Sequence, residues 1–215
     1  MDMMMTKVRN RQILLFVLVY IILAVMDFVP IHFPAQMIFP LLWLTMCSLY
    51  LKQWALSAAL FFSFLGDVMG WQNELIPQIG FFALAQISYI IIFSLLNPPK
   101  STWPLMIKSI FLFILAMVYA SAMNWIFPKV GDSIIAVGIA IYAVLLLGMC
   151  YSALRHKNVW LMTGAILFVI SDFILGTHLF VQRFPYAHLL IMIPYYIGQG
   201  LLFIGVITTN KIYTR

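Results

Sequence analysis

Residues 133–154 read SIIAVGIAIYAVLLLGMCYSAL, a run of 22 residues without a charged side chain. As an α-helix, a run of this length extends about 33 Å at about 1.5 Å per residue. The hydrocarbon core of a bilayer is about 30 Å thick and needs roughly 20 apolar residues for each crossing. The run therefore predicts a transmembrane helix, and the rest of the chain repeats the pattern.

The sequence contains eight apolar runs of this kind, separated by short turn-forming segments. These runs are residues 12–28, 34–51, 54–70, 75–96, 103–127, 133–154, 159–180 and 187–208. Alternating strands of the barrel type do not occur in the sequence, so helices are the spanning structure that remains. We expect an all-α polytopic membrane bundle of about eight transmembrane helices, forming a single domain over residues 1–215.

The composition supports the same class of protein. Of 215 residues, 65% are hydrophobic and 8% are charged, whereas soluble domains are about 45–50% apolar and about 25% charged. The net charge of +6 would suggest nucleic acid as a partner of a soluble protein. Here the basic residues lie at helix ends, so we expect membrane lipid as the environment and no nucleic acid.

The basic residues also predict the orientation. Nine of them fall on the side of the N-terminus: Lys7, Arg9, Arg11, Lys52, Lys100, Arg155, Lys157, Lys211 and Arg215. Lys129 and Arg183 fall on the opposite side, and Lys108 lies early in the fifth helix, near the N-terminal side. Basic loops stay on the cytoplasmic side of a membrane. We therefore expect a multi-pass protein of the cell (inner) membrane with both termini in the cytoplasm.

Two pairs of segments suggest an internal repeat. Residues 42–47 (LWLTMC) resemble residues 145–150 (LLLGMC), and residues 64–67 (FLGD) resemble residues 169–172 (VISD) at nearly the same spacing. Chance matching between leucine-rich helices is the alternative explanation. The segments therefore allow, but do not require, a duplicated unit.

A true repeat would divide the chain into halves of four helices, residues 1–97 and 100–215. Because four crossings return the chain to its starting side, the halves would be parallel repeats related by an axis along the membrane normal. Asp67 and Asp172 would then be equivalent residues that face each other across this axis.

Asp67 and Asp172 lie inside apolar runs, whereas Asp27 comes at the very end of the first run. An ionisable residue within the hydrocarbon is costly and indicates a functional site by default. Both fall in the outer half of a helix that runs outward. Ser63, Gly66 and Gly70 lie on the same helix face as Asp67, at positions i−4, i−1 and i+3. The alternative is that such polar groups only tie helices together, at about 0.6–2 kcal/mol for each hydrogen bond.

Polar side chains on other helices are expected to gather around these acids, because they are costly against lipid. They are Gln86, Ser88 and Tyr89 of the fourth helix, Tyr119 and Asn124 of the fifth, Ser171 of the seventh, and Tyr195, Tyr196 and Gln199 of the eighth. The remaining acids of the outer half, Asp27, Glu74 and Asp132, lie at helix ends, where we expect water to solvate them. Neither a metal-ligand spacing nor a cofactor motif occurs in the sequence, so we expect no metal and no cofactor.

The neighbourhoods of both aspartates resemble a known family. Residues 61–68 (FFSFLGDV), followed by residues 80–89 (GFFALAQISY), look like the first signature of the YhhN-like lysoplasmalogenase family. Residues 164–172 (GAILFVISD), followed by residues 195–199 (YYIGQ), look like the second signature. Gln86 departs from the pattern, because many members have histidine there.

The resemblance implies hydrolysis of the vinyl ether bond of a lysoplasmalogen to a fatty aldehyde and a glycerophospho-base. Such a bond is cleaved by protonating the alkenyl carbon, after which water adds to the oxocarbenium ion. The reaction needs one acid that stays protonated at neutral pH and a second carboxylate that stabilises the cation, and low dielectric and proximity favour this division. We predict that Asp67 and Asp172 share these catalytic roles, without assigning which is the acid.

The same resemblance implies a lysophospholipid substrate. We predict that this single-chain lipid enters sideways between helices, with its tail in an apolar slot. Six polar side chains are predicted to bind or orient the substrate or water: Gln86, Tyr89, Ser171, Tyr195, Tyr196 and Gln199. Arg183 or Lys129 is predicted to pair with the lipid phosphate.

Two other classes of function stay open at this level. A transporter or lipid carrier would also use parallel repeats with a polar centre, and interrupted helices at the site would favour it. A purely structural membrane protein would use the aspartates to lock its helices, and loss of stability without loss of activity in aspartate variants would favour that function.

Overall fold

The computed structural model describes residues 2–29, 36–96 and 103–213, with the side chains of residues 11–29, 36–96 and 103–209. These residues form the helices α1 Asp2–Met26, α2 Phe39–Tyr50, α3 Trp54–Trp71, α4 Leu75–Leu95, α5 Leu105–Trp125, α6 Ser133–Leu154, α7 Val159–Gly176 and α8 Ala187–Tyr213. Five basic side chains used to predict the orientation lie outside the described side chains: Lys7, Arg9, Lys100, Lys211 and Arg215.

The eight helices correspond one to one with the predicted apolar runs. Six of them, α3 to α8, are long and apolar enough to cross a bilayer, and the apolar parts of α1 and α2 are shorter, at Arg11–Met26 and Gln36–Tyr50. The described residues contain no strand. The prediction of an all-α polytopic membrane bundle is therefore confirmed.

Contacts between helix ends show that the chain crosses back and forth. Asp27 after α1 contacts His188 at the start of α8, with 2.8 Å between Oδ2 and Nε2. At the opposite end, Trp103 before α5 donates to the carbonyl of Leu154 at 3.0 Å. We call the end at which α1 begins the proximal face and the other end the distal face, where α1, α3, α5 and α7 end.

Glycine lets helices α7 and α8 approach closely. A Cβ atom on Gly164 of α7 would lie 2.9 Å from the carbonyl oxygen of Gly198 of α8, and the reverse distance is also 2.9 Å. Small residues of this kind allow membrane helices to pack backbone against backbone. The position of Asp172 relative to Tyr195 and Gln199 is therefore set by direct contact between α7 and α8.

Helix α5 is peripheral. Leu115 is its buried residue, whereas Leu105, Met106 and Phe113 are 80%, 70% and 66% exposed. The helix packs mainly against α6. Because α5 stands away from the rest of the bundle, it forms one wall of a cavity in the distal half.

Candidate active site

Asp67 lies on α3 in an enclosed position. Its side chain is 3% exposed, and Tyr195 of α8 donates a hydrogen bond from Oη to Oδ2 at 3.0 Å. The Tyr195 ring packs against Phe82 and Phe168, with centroid separations of 6.1 and 5.4 Å. Aromatic side chains from α4 and α7 thus enclose the Asp67–Tyr195 pair.

Asp172 lies on α7 and is half-buried beside open space. Its Oδ2 accepts a short hydrogen bond from Oη of Tyr142 on α6. Both side chains line a cavity of about 110 Å³ between α4, α5, α6 and α7. Asp172 is the acid among its lining residues, which are otherwise apolar except for Gln78, Tyr119 and Tyr142. The cavity therefore exposes one carboxyl group to an apolar volume.

Phe82 stands between the two aspartates. Its ring lines the cavity, and it lies 2.8 Å from where a Cβ on Gly66 would be, next to Asp67. Asp67 itself is not among the cavity's lining residues. The structure thus brings both acids into the distal half of the bundle, but Asp172 faces the cavity while Asp67 lies behind Phe82.

Gln86 reaches Asp172 through Tyr142. Gln86 is fully buried, and its Nε2 donates to Oη of Tyr142 at 3.4 Å. Within the described part of the chain, Oε1 of Gln86 has no hydrogen-bond partner. Sequence reasoning missed Tyr142, although a tyrosine in the middle of the charge-free run of α6 was a signal, because its hydroxyl must find an acceptor within the membrane.

Three other predicted site residues join helices instead of lining the cavity. Tyr89 donates to Oε1 of Gln199 at 2.7 Å, and Nε2 of Gln199 donates to Ser63 at 3.1 Å. Ser171 donates to the carbonyl oxygen of Ile191 at 2.9 Å. These contacts connect α3, α4, α7 and α8, and they hold the walls that carry the two aspartates.

Asp27 corrects one prediction. We expected water to solvate it at a helix end, but its side chain is only 5% exposed. Its Oδ2 contacts Oη of Tyr196 at 3.0 Å and Nε2 of His188 at 2.8 Å, and Phe28 packs against both rings. The prediction was wrong because α8 begins directly against the end of α1. Tyr196 belongs to this distal cluster and does not line the cavity.

Lys129 and Arg183 are exposed at the distal face. Each follows a cavity-lining residue by three positions, Ile126 and Phe180 respectively. The two cations therefore lie near the distal rim of the cavity. In the part of the chain that the structure describes, no three potential metal ligands come together.

Comparisons with known proteins identify the family of this chain. The model of the YhhN family matches residues 30–206. A protein from Sus scrofa named Lysoplasmalogenase TMEM86B is 30% identical over 161 residues, which is 73% of this chain and 65% of the relative. The chain thus spans about two thirds of the length of that relative. No solved structure matches this chain. The resemblance seen in the sequence is confirmed, and the chain belongs to the YhhN family.

Proposed function

We propose that this protein is a membrane-embedded hydrolase that cleaves the vinyl ether bond of a lysoplasmalogen, releasing a fatty aldehyde and a glycerophospho-base. Membership of the YhhN family and the name of the relative support this class of substrate. The observation that carries the proposal is Asp172, the acid in the lining of an apolar cavity. It lies on α7, four residues before Gly176, and the apolar helical span continues beyond α7 to Val181, so the carboxyl group belongs to the membrane-spanning part of the chain.

Asp172 is the proton donor in this proposal. Its carboxyl proton passes to the alkenyl carbon farther from the ether oxygen, and the π electrons form the new C–H bond. The positive charge that remains is shared by the other alkenyl carbon and the oxygen. Water adds to that carbon and returns a proton to the carboxylate. The hemiacetal then loses its glycerol alcohol to give the aldehyde, so that no oxidant or cofactor takes part.

Tyr142 and Gln86 position this acid. Tyr142 occupies Oδ2 of Asp172, which leaves Oδ1 available to donate toward the cavity. Gln86 fixes the Tyr142 hydroxyl from behind, and its unpartnered Oε1 is suited to accept a hydrogen bond from water. A short chain of hydrogen bonds in a low-dielectric interior holds its geometry well.

Asp67 is the charge stabiliser in the same proposal. It lies behind Phe82 and does not touch the substrate, so it acts through its electrostatic field. Coulomb interactions are several times stronger in a protein interior than in water. Tyr195 fixes the orientation of the carboxyl group, and Tyr89, Gln199 and Ser171 keep the surrounding helices in place.

The substrate's head group lies at the distal rim. Lys129 and Arg183 are the exposed cations there, and they pair with the lipid phosphate. The bias of basic residues toward the proximal face supports cytoplasmic termini. The cavity then serves lipids of the outer leaflet of the cell membrane.

Aldehyde release by the purified protein in detergent tests the function. We expect steady release from a lysoplasmalogen and none from the ester lysophospholipid with the same chain and head group. Asp132→Asn is the control for aspartate-to-asparagine variants of the site, and it should keep the wild-type rate. Asp132 is an exposed acid that caps α6, and asparagine caps a helix as well. Turnover without a membrane gradient excludes transport as the only activity. Absence of aldehyde, together with uptake of the lipid by proteoliposomes, would favour a carrier instead.

A further inference from the structure

The lipid-facing side of the bundle has a cleft that continues the Asp172 cavity. It lies between α5 and α7 and has a deeper part and a distal part. Val118 and Val169 line both the cavity and the deeper part. Phe173 lines the cavity and both parts of the cleft. The cavity and the membrane surface of the protein are thus joined along the gap between these two helices.

We propose that this α5–α7 cleft is the tail-binding site and entry portal for one hydrocarbon chain of a lysophospholipid, with Phe173 at the junction. The proposal rests on the proposed function, because it assigns the path by which that function's substrate reaches Asp172. The occupant is a single chain from the surrounding bilayer, not a peptide or a second copy of the protein.

The lining of the deeper part fits an alkyl chain. Phe113, Ile114 and Met117 of α5 face Ile170 and Ile174 of α7 across it, and all five side chains are apolar. Polar side chains occur only toward the distal end, at Ser121 and Asn124. A chain that leaves the bilayer for this groove therefore exchanges one apolar environment for another.

The direction of the cleft fits a lipid of the distal leaflet. Its lining residues on α5 extend from Trp125 to Phe113, a span of about 18 Å along the helix axis that runs from the distal end toward the bilayer centre. A lysophospholipid with its head at the distal face has its tail in the same direction. The bond nearest the head then lies at the level of Asp172, and the tail follows the gap.

The cavity beside Asp172 is too small to hold a whole lipid chain. About 110 Å³ holds only a few methylene groups, so the rest of the chain must continue into the cleft. Helix α5 packs mainly against α6 and not along α7, which leaves the gap open to the side. A diacyl lipid would have to bring a second chain past Phe173, whose ring stands at the junction.

Photocrosslinking of the purified protein tests the site without relying on turnover. The probe is an ester lysophospholipid with a diazirine at the end of its tail, and the control is a diacyl lipid with the same group. We expect the lysolipid label on α5 and α7, within residues 113–121 and 169–174, and an even spread of the diacyl label over the lipid-facing surface. A lysolipid label that spreads evenly, or collects on another pair of helices, would overturn the proposal.

A tryptophan placed in the portal provides the second test. Ser121→Trp adds bulk at an exposed position on α5, and Ile141→Trp adds the same bulk at an exposed position on α6 that does not line the cleft. We expect Ser121→Trp to lower crosslinking of the lysolipid, and kcat/KM for long-chain lysoplasmalogens, by about tenfold. Short-chain substrates should lose much less, and Ile141→Trp should match the wild type.

These outcomes separate the portal from the reaction. Labelling within the α5–α7 cleft without any aldehyde release would keep the tail site and reject the hydrolase. Aldehyde release with equal rates for Ser121→Trp and Ile141→Trp, and no labelling of the cleft, would keep the hydrolase and reject the portal. Monodisperse elution of each variant from a sizing column shows that the protein still folds with the added tryptophan.

Discussion

Asp67 and Asp172 share a local arrangement and differ in their access to substrate. Each lies four residues before the distal end of its helix, and each accepts a hydrogen bond from a tyrosine of a neighbouring helix. Tyr195, the partner of Asp67, packs between two phenylalanine rings. Tyr142, the partner of Asp172, lines the cavity. The neighbouring helix, not the aspartate's own sequence, decides which acid can meet a substrate.

The segments that contain the two acids are one of the two pairs on which the internal repeat rests, and the repeat stays a prediction. If the halves are duplicated, they have diverged around the aspartates. Asp67 is enclosed by α4 and α8, whereas Asp172 faces a wall formed by the peripheral α5. We infer that a loosely packed helix next to one acid separates a reactive site from a supporting one.

Among these substitutions, Asp172→Asn should lower the rate of aldehyde release the most. Asparagine keeps the shape and can still accept from Tyr142, but it has no proton to give. General acid catalysis contributes about 10²–10⁴-fold to a rate, so aldehyde release should fall by that factor while thermal stability stays close to the wild type. Initial rates and a thermal melt of the same preparation measure both, and a rate within about threefold of the wild type would rule out Asp172 as the acid.

Asp67→Asn should have a smaller effect. It removes a charge that acts from behind Phe82, and a loss of about 10–100-fold in kcat with little change in KM is expected for electrostatic stabilisation at a distance. Asparagine still accepts from Tyr195, so the fold should survive. Kinetics over a range of lipid concentrations separate the two constants. An equal loss in both aspartate variants would mean that access does not distinguish the two acids.

Tyr142→Phe should have a smaller effect again. Asp172 is a neutral carboxyl group when it donates its proton, and a hydrogen bond between neutral groups contributes about 0.5–1.5 kcal/mol, so we expect a loss in kcat of up to about tenfold. Tyr151→Phe is the matched control, because Tyr151 lies on the same helix and does not line the cavity. Equal rates for Tyr142→Phe and the wild type would remove Tyr142 from the site.

The smallest predicted effect is on the pH dependence of stability and comes from His156 at the proximal face. Burial lowers the pKa of this side chain, and the charge of nearby Arg155 lowers the pKa further. The carbonyl of Phe93, which contacts Nε2, raises the pKa but does not cancel the effect of burial. The unfolded chain therefore takes up a proton near the ordinary pKa of about 6.5, where the folded chain does not. The free energy of unfolding falls as the pH drops below that value and is fully present above it.

Thermal melts at about pH 7.5 and about pH 5.5 bracket this titration. The wild type should melt at a lower temperature at the acid pH, and His156→Gln should lose a large part of that difference. These melts are also a control for the aspartate variants. Activity that is lost at low pH because the protein unfolds would otherwise be mistaken for titration of the active site. An unchanged pH dependence in His156→Gln would place the destabilising proton elsewhere.

The fold could be predicted from sequence because apolar runs of membrane length have few alternatives. The two aspartates could be found for the same reason, since a charge within such a run is conspicuous. The cavity could not be predicted from the sequence, because it depends on the distance between α5 and α7. Asp27 was misjudged because its partner His188 is 161 residues away, a contact that no local pattern contains.

The most direct measurement is aldehyde release from a lysoplasmalogen in D₂O, with the aldehyde reduced as it forms and analysed by mass spectrometry. If an acid protonates the alkenyl carbon, the wild-type product carries one deuterium on the carbon next to the former carbonyl. We predict that product for the wild type, slowed formation of the same product for Asp67→Asn, and almost none for Asp172→Asn. An undeuterated aldehyde, or full activity in Asp172→Asn, would contradict proton donation by Asp172.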